Sequence, residues 1–219
     1  MTSSDAICRI SMFLTIAKRE CPINHYKMKY YILFGPPGAG KGTHAGAIVE
    51  KYGYKHISTG ALLRSEIAAG TDLGKQARAL IADGKLVPDE VVEGMIESAF
   101  DNFKDVPGFL LDGFPRTIAQ AQALDAILAK RGEAVSGIVS IMISDEMIFA
   151  RIHKRAAEEG RADDASDATI SNRIATYHAQ TEPLVEYYKK AGKYHEVWGD
   201  SPVLEENRAR VLALVDSLQ

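Results

Sequence analysis

One nine-residue stretch leaves this chain few folds to choose from: Gly35-Pro36-Pro37-Gly38-Ala39-Gly40-Lys41-Gly42-Thr43. It follows an apolar, β-prone run, Tyr30 to Phe34, and precedes a helical pattern from His44 to Tyr52. A strand, a glycine-rich turn and a helix start together make an anion site. The glycines let backbone N–H groups converge on an anion without Cβ clashes. The helix N-terminus adds unpaired N–H groups and partial positive charge. Lys41 reaches terminal phosphates as a point charge.

The spacing from Gly35 to Gly40-Lys41 fits the P-loop motif in its first seven positions. The eighth departs. The general motif places Ser or Thr after the Lys to hold Mg²⁺; here Gly42 stands there and Thr43 comes one residue later.

The rest of the chain alternates between strand and helix patterns. Strands are expected at Lys29–Phe34, Lys55–Ser58, Gly108–Asp112, Gly137–Ile143 and Tyr194–Trp198. Helices are expected at Ala61–Ala69 capped by Thr59, at Leu73–Asp83 capped by Asp72, and from Pro88 to about Phe100. Further helices read as Ile118–Lys130 capped by Thr117, Asp145 to about Ala157, Ala168–Lys190 kinked or divided at Pro183, and Leu204–Leu218. Glu158–Asp167 reads as a polar loop. This alternation implies an α/β fold with a five-stranded parallel sheet covered by helices on both faces.

Composition bounds the partners. The 219 residues, 46% hydrophobic, suffice for one domain with insertions or for two small ones. A net charge of −3 offers no basic excess for nucleic acid or an anionic membrane. No apolar run is long enough to span a bilayer. Both cysteines, Cys8 and Cys21, precede Met28, which leaves the body without a disulfide framework or a Cys-based zinc site. Residues 1–27 read as an N-terminal extension, disordered or weakly helical. Their order of charge and apolar residues is a poor fit to a signal peptide, and Met28 is a natural start just ahead of the first strand.

Four further segments carry chemistry. Asp112-Gly113-Phe114-Pro115-Arg116 closes the third strand, where ligands bind in open α/β sheets. Thr59-Gly60-Ala61-Leu62-Leu63-Arg64 follows the second, and Gly84-Lys85-Leu86-Val87-Pro88 lies beyond it. Arg151 and Arg155 are four residues apart on one helix face, a repulsion that an anion between them would offset. Gly160-Arg161-Ala162-Asp163-Asp164 then precedes Arg173 and Tyr177.

As a set, these segments over residues 28–219 resemble the nucleoside monophosphate kinases, and among them the short-lid adenylate kinases. The resemblance implies a P-loop NTPase fold, with a small acceptor-binding insertion at 58–87 and a minimal lid at 155–168. It implies reversible Mg²⁺-dependent phosphoryl transfer from ATP to AMP, giving two ADP, by a cytoplasmic monomer without zinc. ATP would lie on Gly38, Ala39, Gly40, Lys41, Gly42 and Thr43, with Arg151 and Arg155. AMP would meet Thr59, Arg64, Lys85, Leu86, Val87, Gly113, Phe114, Pro115 and Arg116, with Gln120 reading adenine. Asp112 would face Mg²⁺ through water. Lys41, Arg116, Arg151, Arg155, Arg161 and Arg173 would surround the transferring group, Arg161 and Arg173 also reaching AMP. Ala61 stands where the family usually carries Asp. The spacing from Arg161 to Arg173 is one residue longer than the family's, which places the extra residue within Ala165–Asp167. Three alternatives stay open: a kinase for another monophosphate, a nucleotide-binding module without turnover, and a GTPase switch. The chain lacks the Asn-Lys-x-Asp guanine motif of the last.

Overall fold

The structure, a computed structural model, describes residues 27–160, 164 and 166–219. Arg161, Asp163 and nearly all of the N-terminal extension therefore lie outside the described residues.

Five strands form one parallel sheet: β1 (Lys29–Phe34), β2 (Lys55–Ser58), β3 (Gly108–Asp112), β4 (Gly137–Met142) and β5 (Tyr194–Trp198). Their spatial order is β2-β3-β1-β4-β5. After β1 the chain travels to one edge, returns through β3, then crosses β1 to build the other half. The winding direction thus reverses at β1, and ligands bind at such switch points beyond the strands' carboxyl ends. Leu33 and Ser58 both pair with Asp112 in register, so the ends of β1, β2 and β3 meet at one place.

The helices are α1 (Lys41–Tyr52), α2 (Thr59–Ala69), α3 (Asp72–Ala82), α4 (Asp89–Asn102), α5 (Ile118–Lys130), α6 (Asp145–Glu159), α7 (Asp167–Thr176), α8 (Leu184–Lys190) and α9 (Leu204–Asp216). Strand β1 shows why the sheet is covered twice. Tyr30, Ile32 and Phe34 point into a core with α4, α5 and α8. Tyr31 and Leu33 point into another with α1, α6, α7 and α9. Period-two alternation of an all-apolar strand feeds both faces at once. Each Leu or Ile so buried contributes about 1.5–3 kcal/mol.

Two caps differ from expectation. Ser58, not Thr59, caps α2 through Ala61 N–H, and Thr71, not Asp72, caps α3 through Gly74 N–H at 3.0 Å. Thr59 is drawn into the helix because its hydroxyl donates to Gly113 O at 2.9 Å. Thr117 caps α5 as expected, accepting from Gln120 N–H at 3.1 Å. Helix α1 starts at Lys41, three residues before the helical pattern of the sequence, and α6 extends to Glu159, past Ala157. The expected break near Pro183 is a five-residue π-helical turn, Tyr177–Thr181, between α7 and α8. Glu182 N–H bonds Tyr177 O at 2.8 Å, the wider i→i−5 spacing. Pro183 has no N–H and its ring clashes with the carbonyl four residues back, so the helix widens ahead of it.

Helices α2 and α3 form a hairpin after β2. They touch backbone to backbone at Gly74, where a Cβ would lie 2.1 Å from Glu66 O.

Candidate active site

A crevice of about 1240 Å³ opens at the carboxyl ends of β1, β2 and β3. The glycine loop forms one wall, α2 and the segment Gly84–Val87 another, and Arg151, Arg155, Arg173 and Tyr177 a third. Eighteen of the residues singled out in the sequence line it, including Lys41, Thr59, Arg64, Asp112, Arg116 and Gln120. Ala39 and Phe114 do not. Their side chains are buried in the two apolar cores, so they offer a ligand at most backbone.

Lys41 opens α1, and its Nζ donates to Gly35 O at 2.8 Å and Pro36 O at 2.9 Å. Burial lowers its pKa to about 8. The positive charges of Arg116, Arg173 and Arg155 act in the same direction, against the opposing pull of Asp112. Four cations and one carboxylate therefore converge on one point. Burial pushes the Asp112 carboxyl up, yet His56, Lys41 and Arg116 outweigh it and hold the group below the usual carboxylate range. His56 Nε2 stands 3.6 Å from Asp112 Oδ2, an ion-pair separation too long for a hydrogen bond.

The residues on the α2 side of the crevice are cross-braced. Arg116 Nε donates to Gly113 O at 2.8 Å, the same carbonyl that takes the Thr59 hydroxyl. A Cβ at Gly113 would lie 2.8 Å from both Thr59 Oγ1 and Arg116 Nη2, and φ there is +81°, so only glycine fits. The Arg64 guanidinium lies over Gly60, where a Cβ would come within 3.3 Å of Nη1. Gln120, read from its helix alone as an exposed residue, is 2% exposed. Its Oε1 accepts from Arg116 N–H at 2.7 Å and its Nε2 donates to Asp89 Oδ1 at 2.7 Å.

The arginines of the third wall do not share one anion. Arg151 Nη2 donates to Gly199 O at 2.6 Å. Arg155 makes a two-pronged bond to Asp164, at 2.7 and 2.8 Å. Arg173 Nη1 bonds the same carboxylate, whose side chain has no exposed surface. One Asp thus bridges two arginines that were expected at phosphates.

The family model for adenylate kinase matches residues 33–193, which span this crevice from β1 to Arg173 and Tyr177. The chain belongs to the adenylate kinase family. It is a phosphotransferase, and its reaction is ATP + AMP ⇌ 2 ADP. Among its adenylate kinase relatives, that of Phocaeicola vulgatus is 49% identical over 168 residues, covering 77% of this chain and 88% of the relative. That of Stenotrophomonas maltophilia is 46% identical over 184 residues, covering 84% and 97%. That of Methylobacterium nodulans is 42% identical over 193 residues, covering 86% and 96%.

Within this adenylate kinase fold, the donor set suits a cation that keeps its waters. Among the described residues no three His, Cys, Asp or Glu side chains gather to cage a metal. One ionised carboxylate, Asp112, beside Lys41 and Thr43 in a phosphate-binding crevice is the arrangement Mg²⁺ accepts, since it dehydrates reluctantly and binds through substrate phosphates. Among the described residues no helix is long and apolar enough to cross a membrane.

Three residues of this site went unread in the sequence. His44 follows Thr43 and lines the crevice, with its Nδ1 buried and lacking a hydrogen-bond partner. Burial, with Arg151 and Arg208 nearby, lowers its pKa to about 4, so it is neutral. His56 and Asp89 are the others. Each is a polar residue in a regular element, outside the motifs, and its neighbours across the fold reveal it.

Proposed function

We propose that the crevice holds ATP and AMP with their phosphates meeting at the cation cluster. The gathering of Arg116, Arg155 and Arg173 about Lys41, with Asp112 beside it, carries this reading. A triphosphate and a monophosphate bring more negative charge to one point than a single nucleotide does, and four cations match it. In this reading the ATP phosphates lie along Gly38, Gly40, Lys41, Gly42 and Thr43, with Arg151 and Arg155 beside them. The AMP phosphate takes Arg64 and Arg116, its ribose and base lie along Lys85, Leu86 and Val87, and Gln120 reads the base edge.

No general base is needed, because the attacking AMP phosphate is already an anion at neutral pH. What the chain supplies is alignment of two bound groups and neutralisation of charge on the transferring one. Asp112, together with the ATP phosphates, would hold Mg²⁺, which would supply further charge neutralisation. Arg155, Arg173 and Arg161 complete the cation set. Residues 58–87 serve as the acceptor insertion and 155–168 as a short lid that excludes water. The site is completed within one chain, which supports a monomer. A cytoplasmic enzyme is the extension of this reading.

A coupled assay of ADP formation with ATP, Mg²⁺ and AMP, CMP, UMP or GMP in turn tests it. AMP is expected to give the highest kcat/KM, with activity unchanged by a zinc-selective chelator at excess Mg²⁺. Turnover of CMP or UMP at the AMP rate would overturn the acceptor assignment.

A further inference from the structure

An amide side chain has two donor hydrogens and two acceptor lone pairs, and its two orientations are normally close in energy. Gln120 is different. Its Oε1 faces the Arg116 backbone N–H, which only donates, and its Nε2 faces the Asp89 carboxylate, which only accepts. Turning the amide over would set N–H against N–H and oxygen against carboxylate. Asp89 is itself anchored. Its second oxygen accepts from the Thr117 hydroxyl at 3.0 Å, and that hydroxyl oxygen caps α5 at Gln120 N–H. The ring Asp89–Gln120–Thr117 thus joins the first turn of α4 to the first turn of α5. Gln120 lines the crevice, and Asp89 holds its amide nitrogen.

We propose that Asp89 is a positioning residue that sets the base preference of the acceptor site by fixing which way the Gln120 amide faces. The inference rests on the assignment of Gln120 as the residue that reads the base. With one N–H and one lone pair committed, one of each remains for a ligand. A 6-aminopurine presents an acceptor at N1 and a donor at its amino group. A 6-oxopurine presents the reverse, a donor at N1 and an acceptor at O6. For a base held in one pose by the crevice walls, a locked amide pairs with the first. Against the second it sets donor to donor and acceptor to acceptor. A freely turning amide accepts either. Discrimination by unpaired polar groups is the strong kind available to a binding site.

The substitution Asp89→Asn keeps the shape but lets position 89 donate or accept, which removes one of the two constraints on the amide and leaves the Arg116 N–H alone to oppose a turn. The measurement is the ratio of kcat/KM for AMP over that for inosine monophosphate, with guanosine monophosphate as a second probe. The ratio is expected to fall more than twofold in Asp89→Asn, and further in Gln120→Ala. Asp89→Ser, whose side chain suits a helix's first turn, carries the same expectation if the first variant melts below assay temperature. A merely structural defect would lower turnover of both acceptors together and leave the ratio where it was. If Gln120→Ala collapses the ratio and both Asp89 variants hold it within twofold, the role of Asp89 is overturned while Gln120 keeps its own. If Gln120→Ala leaves the ratio unchanged, the base-reading assignment fails first, and the inference falls with it.

Discussion

The acceptor side of the crevice and its cation side are tied down in opposite ways. On the acceptor side of the proposed binding mode, Thr59, Arg116 and Gln120 are bonded to backbone and to Asp89. In the proposed binding mode those bonds are expected to survive when a nucleotide arrives. On the cation side, Lys41 gives two of its N–H groups to the carbonyls of Gly35 and Pro36, and Arg155 and Arg173 give theirs to Asp164. These are the groups a phosphate would take. The first side is finished at folding; the second must exchange one oxygen for another. Exchange of comparable hydrogen bonds is nearly neutral in free energy, so neither arrangement is strongly favoured over the other. Selectivity can rest on the finished side and turnover on the exchanging one.

The largest effect that would test this contrast is at Lys41. Lys41→Met is expected to lower kcat by about 10²–10³-fold, the usual loss when one donor to developing charge is removed. Thermal stability should not fall, because burial disfavours the ammonium in the ligand-free protein. The pH dependence follows in sign. With its pKa at about 8 in place of 10.5, free Lys41 loses its proton above pH 8, whereas a bound phosphate favours the charged form. Hence kcat/KM for ATP should decline above pH 8, and Lys41→Arg should lack that alkaline limb. Between pH 8 and 10.5 the unfolded chain binds more protons here, so this group makes the ligand-free fold more stable as pH rises. A profile that is flat to pH 10 would remove Lys41 from the exchanging side.

A smaller effect is expected at Arg173. Arg173→Lys keeps the charge but loses the planar fork, and kcat should drop roughly tenfold or more. If KM for ATP rises while kcat holds, Arg173 contributes equally to ground and transition states, and the contrast is blurred.

The smallest belongs to the finished side. Thr59→Ala removes one hydroxyl bond to Gly113 O, worth about 1 kcal/mol, and should raise KM for AMP about fivefold with kcat unchanged. A loss in kcat instead would show that the acceptor side also changes during turnover.

How far the sequence discloses this molecule depends on range. Strands β1, β3 and β4 are legible with near-exact bounds because each is a short, mostly apolar run with Gly, Asp or Ser at or beside its ends. The Thr117 cap is legible because capping is a three-residue matter. Thr59 was misread as a cap because its hydroxyl answers to Gly113 on another strand. Gln120 looks exposed on its own helix, and its burial follows from Asp89, thirty-one residues earlier. The arginines of the third wall are visible as cations, but their pairing with Asp164 rests on a chain path that no spacing rule predicts. Arg161 belongs to the same set by sequence and lies outside the described residues.

The contact at Gly74 has a consequence for what binding costs. With a Cβ there 2.1 Å from Glu66 O, the crossing of α2 and α3 is made of main chain on main chain and owes nothing to rotamers. The hairpin therefore comes to its ligand as a prefabricated panel. Ordering a loose segment of its length would draw about 1–2 kcal/mol per residue from the interaction with a nucleotide. Here that entropy is surrendered once, when the chain folds, and is not charged again at each of the enzyme's cycles.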